Sequence, residues 1–245
     1  MASAKTYWTA TRAPRYSLLF ALPLLLLYEI LAFALSHDAI AGVRNGADVL
    51  LKSLFVLLGG RRGLIVFGIV LVGTGAVLVW QDLRAHGGKL RPRYFLGMAA
   101  ESVLYALLFG LVAGTITHML LTGRPFAALA PMDRLDLPTQ LMVSLGAGIY
   151  EELLFRVLLV SALARLARGG FGWSPLAAGA FATLLGALVF SAFHYVGPYG
   201  DPLELPSFTF RAVAGVLFSG LYLVRGLGIT AWTHALYDVF LTVLR

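Results

Sequence analysis

Cysteine is absent from the sequence, and charged residues occupy only 13% of its 245 positions, against about 25% in ordinary soluble domains. Without cysteine the chain has no disulfide, no thiolate metal ligand and no thiol nucleophile, so any chemistry depends on other side chains. With 59% hydrophobic residues and a mean hydropathy of +0.84, whole stretches lack a polar face. These values exclude an ordinary soluble domain and indicate an integral, multi-pass membrane protein.

Acidic residues are also scarce, 12 against 19 basic ones, which gives a net charge of +7. The basic residues lie in short segments between apolar runs, as the positive-inside rule expects, and not in one patch that would bind nucleic acid. Basic side chains follow the second, fourth and sixth apolar runs, whereas residues 197–207 carry two acids and no base. We therefore expect the lipid bilayer as a partner, no nucleic acid, a cytoplasmic N-terminus and a C-terminus outside.

The apolar runs predict the fold class. A helix needs about 20 apolar residues to cross the hydrocarbon core, and unpaired backbone groups are too costly in lipid for other conformations of this length. The sequence therefore predicts an all-α, polytopic transmembrane bundle of about seven spans. The short apolar run 49–58 contains Lys52 and is more typical of an interfacial or re-entrant helix than of an eighth span. The predicted spans are residues 16–36, 64–80, 95–121, 141–165, 176–196, 208–224 and 227–244.

Ionisable side chains inside the predicted spans mark the candidate site, because each costs roughly 2.5–3.5 kcal/mol on insertion scales. Glu151 and Glu152 are adjacent in the fourth span, and Arg156 follows Glu152 by four residues, the order that favours a helical ion pair. Neighbours on an α-helix are rotated by about 100°, so Glu151 can face a cavity while the other two brace the helix. A structural polar cluster is the alternative. Glu29 and Glu101 match no motif, and we expect them to bond to neighbouring helices.

Two later spans add histidines. Phe190 and His194 lie one helical turn apart in the fifth span, and His234 and Asp238 lie one turn apart in the seventh. Either pair alone is typical of a hydrogen-bonded core histidine. Together with Glu151 they supply a carboxylate base, two imidazoles and an acidic partner inside a dry bundle, which indicates hydrolytic chemistry.

These motifs, in this order, resemble those of the CPBP (CAAX protease and bacteriocin-processing) family of intramembrane peptidases, which includes the type II CAAX prenyl endopeptidases. Each motif alone is short, whereas the ordered triplet on successive late spans, over residues 141–242, is specific. The third motif ends in Asp238, where prenyl-protein peptidases usually have Asn, so the CAAX substrate stays open. The motifs are EExxxR (Glu151, Glu152, Arg156), FxxxH (Phe190, His194) and HxxxN/D (His234, Asp238).

The resemblance implies a role for each residue. Glu151 with His194 activates a water, while His234 with Asp238 positions and stabilises the oxyanion. An ionised Asp238 cannot donate a hydrogen bond, so it either orients His234 or stays protonated. The supporting residues are Glu152, Arg156 and Phe190.

The resemblance also implies a substrate and an organisation of the chain. The substrate is a membrane-associated peptide or protein, such as a lipidated chain or a C-terminal tail, in a bacterial-type cell membrane. Residues 1–140 are then N-terminal transmembrane helices, and residues 141–245 are the catalytic core of one integrated membrane domain.

Other chemistries and functions fit some of the same residues. Glu151, His194 and His234 resemble a zinc ligand set with an open water position. The adjacent HExxH arrangement of zincins is missing, so we expect metal-free catalysis with no cofactor. A proton-coupled small transporter would use buried Glu and His, but the sequence has no matching half. A non-catalytic membrane scaffold or immunity protein is the third hypothesis.

Overall fold

The computed structural model describes residues 4–36, 42–86, 89–121, 135–197 and 200–244, and these ranges contain helices and no strand. The predicted all-α class is therefore confirmed. The elements are α1 (Ala4–Arg12), α2 (Pro14–Ser36), α3 (Gly46–Gly59), α4 (Arg62–Ala85), α5 (Pro92–Leu120), α6 (Leu137–Gly146), a π-helix (Ala147–Val160), α7 (Ser161–Phe171), α8 (Pro175–Phe193), α9 (Leu205–Arg225) and α10 (Leu227–Val243).

Five helices, namely α2, α4, α5, α8 and α9, are long and apolar enough to cross a membrane. Each follows one of the predicted spans closely. The predicted fourth span corresponds to the run from α6 through the π-helix to α7, and the seventh corresponds to α10, which has 17 residues. These two crossings stay a prediction. Large apolar side chains face outward, Phe33 for example being 83% exposed, as a lipid-facing surface requires.

The short apolar run forms α3, a helix of 14 residues, which is below the length of about 20 that a crossing needs. Asn45 caps its N-terminus, where the side-chain Oδ1 accepts a hydrogen bond from the Ala47 backbone N–H at 2.9 Å. Asp48 and Lys52 are buried. The first turns of α3 thus lie against other helices, as either the interfacial or the re-entrant alternative allows.

The last helix, α10, is central to the bundle and packs against α2, α5, α6, α9 and the π-helix. Just before it begins, the buried Arg225 binds Glu101 of α5 through Nε at 2.8 Å and Nη2 at 3.0 Å. Nη2 also donates to Thr11 of α1. These bonds fix the start of α10, and His234 lies about two turns further along, inside the bundle.

The glutamate-bearing segment departs from the prediction. An α-helix was expected throughout residues 141–165, whereas Ala147–Val160 is a π-helix, in which the bonds run from i to i+5. The expected rotation of about 100° between Glu151 and Glu152 is therefore too large for this segment. The wider winding lets adjacent side chains diverge less, so both glutamates and Arg156 are buried in the interior.

Candidate active site

Glu151 lies between Asn45, the N-cap of α3, and His194 at the end of α8. Its carboxylate is buried, with Oε1 accepting a hydrogen bond from Asn45 Nδ2 at 2.8 Å. Its other oxygen, Oε2, is 3.9 Å from His194 Nε2. That separation exceeds a direct hydrogen bond. One oxygen of Glu151 is thus held by the protein, and the other faces an imidazole.

His194 directly follows the last residue of α8. Its Nδ1 lies 2.9 Å from the Phe190 carbonyl oxygen, and a carbonyl only accepts, so Nδ1 carries a hydrogen. In the neutral ring Nε2 is then an acceptor. The ring also packs edge-on against Phe190, with centroids 4.9 Å apart. The FxxxH motif therefore sets both the position and the tautomer of the imidazole that faces Glu151.

Glu152 joins the π-helix to α10. Its Oε1 is 2.7 Å from His234 Nδ1, and its Oε2 is 3.2 Å from Arg156 Nε. The sequence predicted only the second of these contacts. The helices approach closely because of Gly148, where an added Cβ would lie 2.4 Å from the Ala231 carbonyl oxygen. Glu152 consequently orients an imidazole as well as bracing its own helix.

Arg156 is held between aromatic rings. Its Cζ lies 4.3 Å from the centroid of Phe190 and 5.4 Å from that of Phe218. Within the described part of the chain its guanidinium makes no hydrogen bond, so the ion pair with Glu152 and the ring faces stabilise its charge. Phe218 also stacks on the His234 ring, with centroids 4.2 Å apart. Phe218 thus contacts both Arg156 of the π-helix and His234 of α10, and so connects the first and third motifs.

Asp238 lies one turn beyond His234 on α10. Its Oδ2 is 3.6 Å from His234 Nε2, and its side chain is 24% exposed against 6% for the histidine. The His234 ring therefore has a carboxylate near each nitrogen, Glu152 at Nδ1 and Asp238 at Nε2. Of the acidic site residues, Asp238 is the one most open to the surroundings.

The zinc alternative needs ligand atoms about 2.0–2.2 Å from one point. Among the described residues, no three His, Asp or Glu side chains are grouped so that they could hold an ion. We therefore derive no step through a metal.

The two carboxylates outside the motifs have structural partners, as expected. Glu101 binds Arg225. Glu29 accepts hydrogen bonds from Lys52 Nζ at 2.9 Å and from the Tyr150 hydroxyl. Both acids therefore link helices through ion pairs, and the expectation of structural bonding is confirmed.

Sequence reasoning missed Asn45 and Phe218. Asn45 followed at the third helical position by Asp48 is a recognisable helix start. Its contact with Glu151, 106 residues later, has no local signal. Phe218 lies on an apolar helix where nothing distinguishes it from a lipid-facing or core phenylalanine.

A buried glutamate pair linked to two histidines inside a helical bundle fits a membrane-embedded hydrolase. Residues 133–240 match the family model described as type II CAAX prenyl endopeptidase Rce1-like, and that region contains every predicted site residue. Over these residues the chain resembles the CAAX-type intramembrane proteases, so the resemblance predicted from the motifs is confirmed. The match and the five apolar helices together support an intramembrane protease. Neither the curated proteins nor the solved structures contain a match to the chain.

Proposed function

We propose that the protein is an intramembrane endopeptidase that hydrolyses a membrane-associated protein or peptide with a water activated by Glu151, without a metal. The observation that carries this proposal is the 3.9 Å separation between Glu151 Oε2 and His194 Nε2. A water molecule bridges polar atoms at such a distance. Both atoms accept hydrogen bonds, so they suit the two hydrogens of one water.

Water activation follows from this arrangement. The water donates one hydrogen to Glu151 and the other to His194, which turns its lone pairs toward the scissile carbonyl carbon. As the new C–O bond forms, Glu151 takes the proton, and it delivers that proton to the amine nitrogen when the C–N bond breaks. His194 stays in place because its Nδ1 is bound to the Phe190 carbonyl.

His234 provides the positive charge that stabilises the oxyanion of the tetrahedral intermediate. Its Nδ1 is fixed by Glu152 and its ring by stacking on Phe218, so Nε2 has one direction. Before substrate binds, the nearby Asp238 carboxylate attracts this side of the ring. In the reaction a protonated His234 offers Nε2–H to the oxyanion. Such preorganised donors contribute because they require no reorganisation during the reaction.

The substrate and the membrane face belong to the same proposal. The family name makes a prenylated C-terminal peptide the first substrate to examine, and Asp238, in place of the usual Asn, makes an unprenylated tail the second. With a cytoplasmic N-terminus in a bacterial-type cell membrane, α8 runs outward from the basic Arg165 and Arg168. His194 at its far end then faces the extracytoplasmic side, where a sorting tail or secreted peptide is processed.

The test uses purified protein in lipid nanodiscs with internally quenched peptides, one bearing a farnesylated cysteine before its last three residues and one without the lipid. We expect Glu151→Gln to lower kcat by about 10²- to 10⁴-fold, because it removes the general base. Glu204→Gln is the matched control, the same change at an exposed side chain that precedes α9. Cleavage by folded Glu151→Gln at the wild-type rate would overturn the mechanism.

A further inference from the structure

Asn45 is the only side chain from before residue 140 with a described hydrogen bond to the motif glutamates. It lies outside the family match at 133–240. Asn45 and Glu151 are 3% and 6% exposed, so the bond between them is shielded from solvent and lipid. A hydrogen bond to an ionised carboxylate is stronger than a hydrogen bond between two neutral groups.

The side-chain amide of Asn45 has only one possible orientation. Its Oδ1 accepts from the Ala47 backbone N–H at 2.9 Å, and a backbone N–H cannot accept in return. Nδ2 must therefore point toward Glu151. The Asn45 backbone N–H donates to the Tyr28 hydroxyl at 3.3 Å, which fixes the main chain as well.

A charged cluster holds the start of α3 in this position. Tyr28 donates to Asp48 at 2.7 Å, and two acids and two bases pair across α2 and α3. Tyr150, next to Glu151, donates to the same cluster. The paired charges are Glu29, Arg44, Asp48 and Lys52. These ion pairs hold Asn45 in place. An added Cβ at Gly146 would lie 2.6 Å from the Asn45 Cβ, so the end of α6, just before the glutamate-bearing π-helix, lies close to Asn45.

We propose that Asn45 is a positioning residue for Glu151, which rests on the proposed function. By binding Oε1 it directs Oε2 to His194, and it stabilises the ionised form that accepts a proton from water. The nearest alternative is that Asn45 acts only as the N-cap of α3.

Two substitutions separate these roles. Ser and Asp both cap helices about as well as Asn, so a pure cap tolerates either one. Asn45→Ser removes the donor to Glu151, and Asn45→Asp replaces it with an acceptor. We expect kcat to fall by roughly 10- to 100-fold, as when the hydrogen-bonded partner of a metal ligand is lost, with KM little changed. The fall should be larger in Asn45→Asp. The acidic limb of the kcat pH profile should move to higher pH in Asn45→Asp, because a second carboxylate disfavours ionised Glu151.

The assay uses the farnesylated and unprenylated quenched peptides with full-length protein in nanodiscs, and folding is checked by thermal unfolding. A readout without substrate is difference infrared titration, in which the carboxyl band lost in Glu151→Gln titrates at higher pH in Asn45→Asp. Wild-type kcat and an unshifted band in folded Asn45 variants would overturn the positioning role. Activity of folded Glu151→Gln would instead overturn the proposed function, so the two failures are distinguishable.

Discussion

At the scale of single residues, Asp238 is where the chain departs from the family pattern. Its carboxylate oxygen lies 3.6 Å from His234 Nε2, which is longer than a hydrogen bond, so it orients the ring by electrostatic attraction. Asn keeps an acceptor oxygen and the same shape, and we expect Asp238→Asn to retain kcat within about tenfold. Asp238→Leu keeps the size but removes the acceptor, and we expect a loss of about 10²- to 10³-fold, as for loss of one oxyanion-hole group. Peptide cleavage in nanodiscs measures both.

The control for this pair is Thr242→Val, one turn further along α10, where the hydroxyl donates to the Asp238 carbonyl oxygen. Its kcat should equal that of wild type. If Asp238→Leu were as active as Asp238→Asn, orientation of His234 by Asp238 would be refuted.

The site residues were predictable from the sequence where an ionisable side chain lies in an apolar span. The contacts between these residues were less predictable. Ionisable groups in apolar spans are costly, which is why Glu151, His194 and His234 could be selected from the sequence. Their roles stay predictions. The bond from Glu152 to His234 could not be foreseen, because Glu152 already had a partner four residues away and the distance between the helices is set by tertiary packing.

At the scale of elements, the contact between the π-helix and α10 depends on Gly148. An added Cβ there would lie 2.4 Å from a backbone oxygen and 2.6 Å from the Cβ of Ala235, and neither can move without shifting α10. We expect Gly148→Ala to destabilise the protein by about 1–3 kcal/mol, as overpacking does, and to lower kcat because Glu152 and His234 separate. Thermal unfolding and peptide cleavage measure the two effects.

Gly179→Ala on α8 is the matched control, since an added Cβ there meets nothing within 4 Å. It should leave kcat unchanged and raise stability slightly, because alanine favours helix more than glycine does. Equal unfolding temperatures for the two alanine variants would contradict the proposed close packing at Gly148.

Span positions were predictable because run length and hydropathy are summed over many residues, so that small boundary errors cancel. The π-helix was not, since the apolar pattern of residues 147–160 suits either winding and the choice is made by buried charge and close packing. The predicted run began at residue 49, although Asn45 and Asp48 signal the earlier helix start that the structure shows. The burial of this first turn of α3 against α2 and the π-helix depends on pairing among distant charges, which no local pattern reveals.

At the scale of the whole molecule, the site joins parts of the chain that the sequence keeps far apart. The family match begins at residue 133, yet Asn45 of α3 binds the first motif glutamate. A catalytic core of residues 141–245 would therefore lack one partner of Glu151 if it were expressed alone. The N-terminal helices are thus expected to contribute to the site as well as to the bundle.

The absence of cysteine makes the orientation directly measurable, because a single introduced cysteine is the only thiol in the chain. Leu203 precedes α9 and is 72% exposed, and Lys89 precedes α5 and is exposed. If the basic segments are cytoplasmic, a membrane-impermeant maleimide applied to intact cells should label Leu203→Cys and should label Lys89→Cys only after permeabilisation. The reverse pattern would place the His194 end of α8 at the cytoplasmic face, and the substrate would then be a cytoplasmic tail and not an exported one.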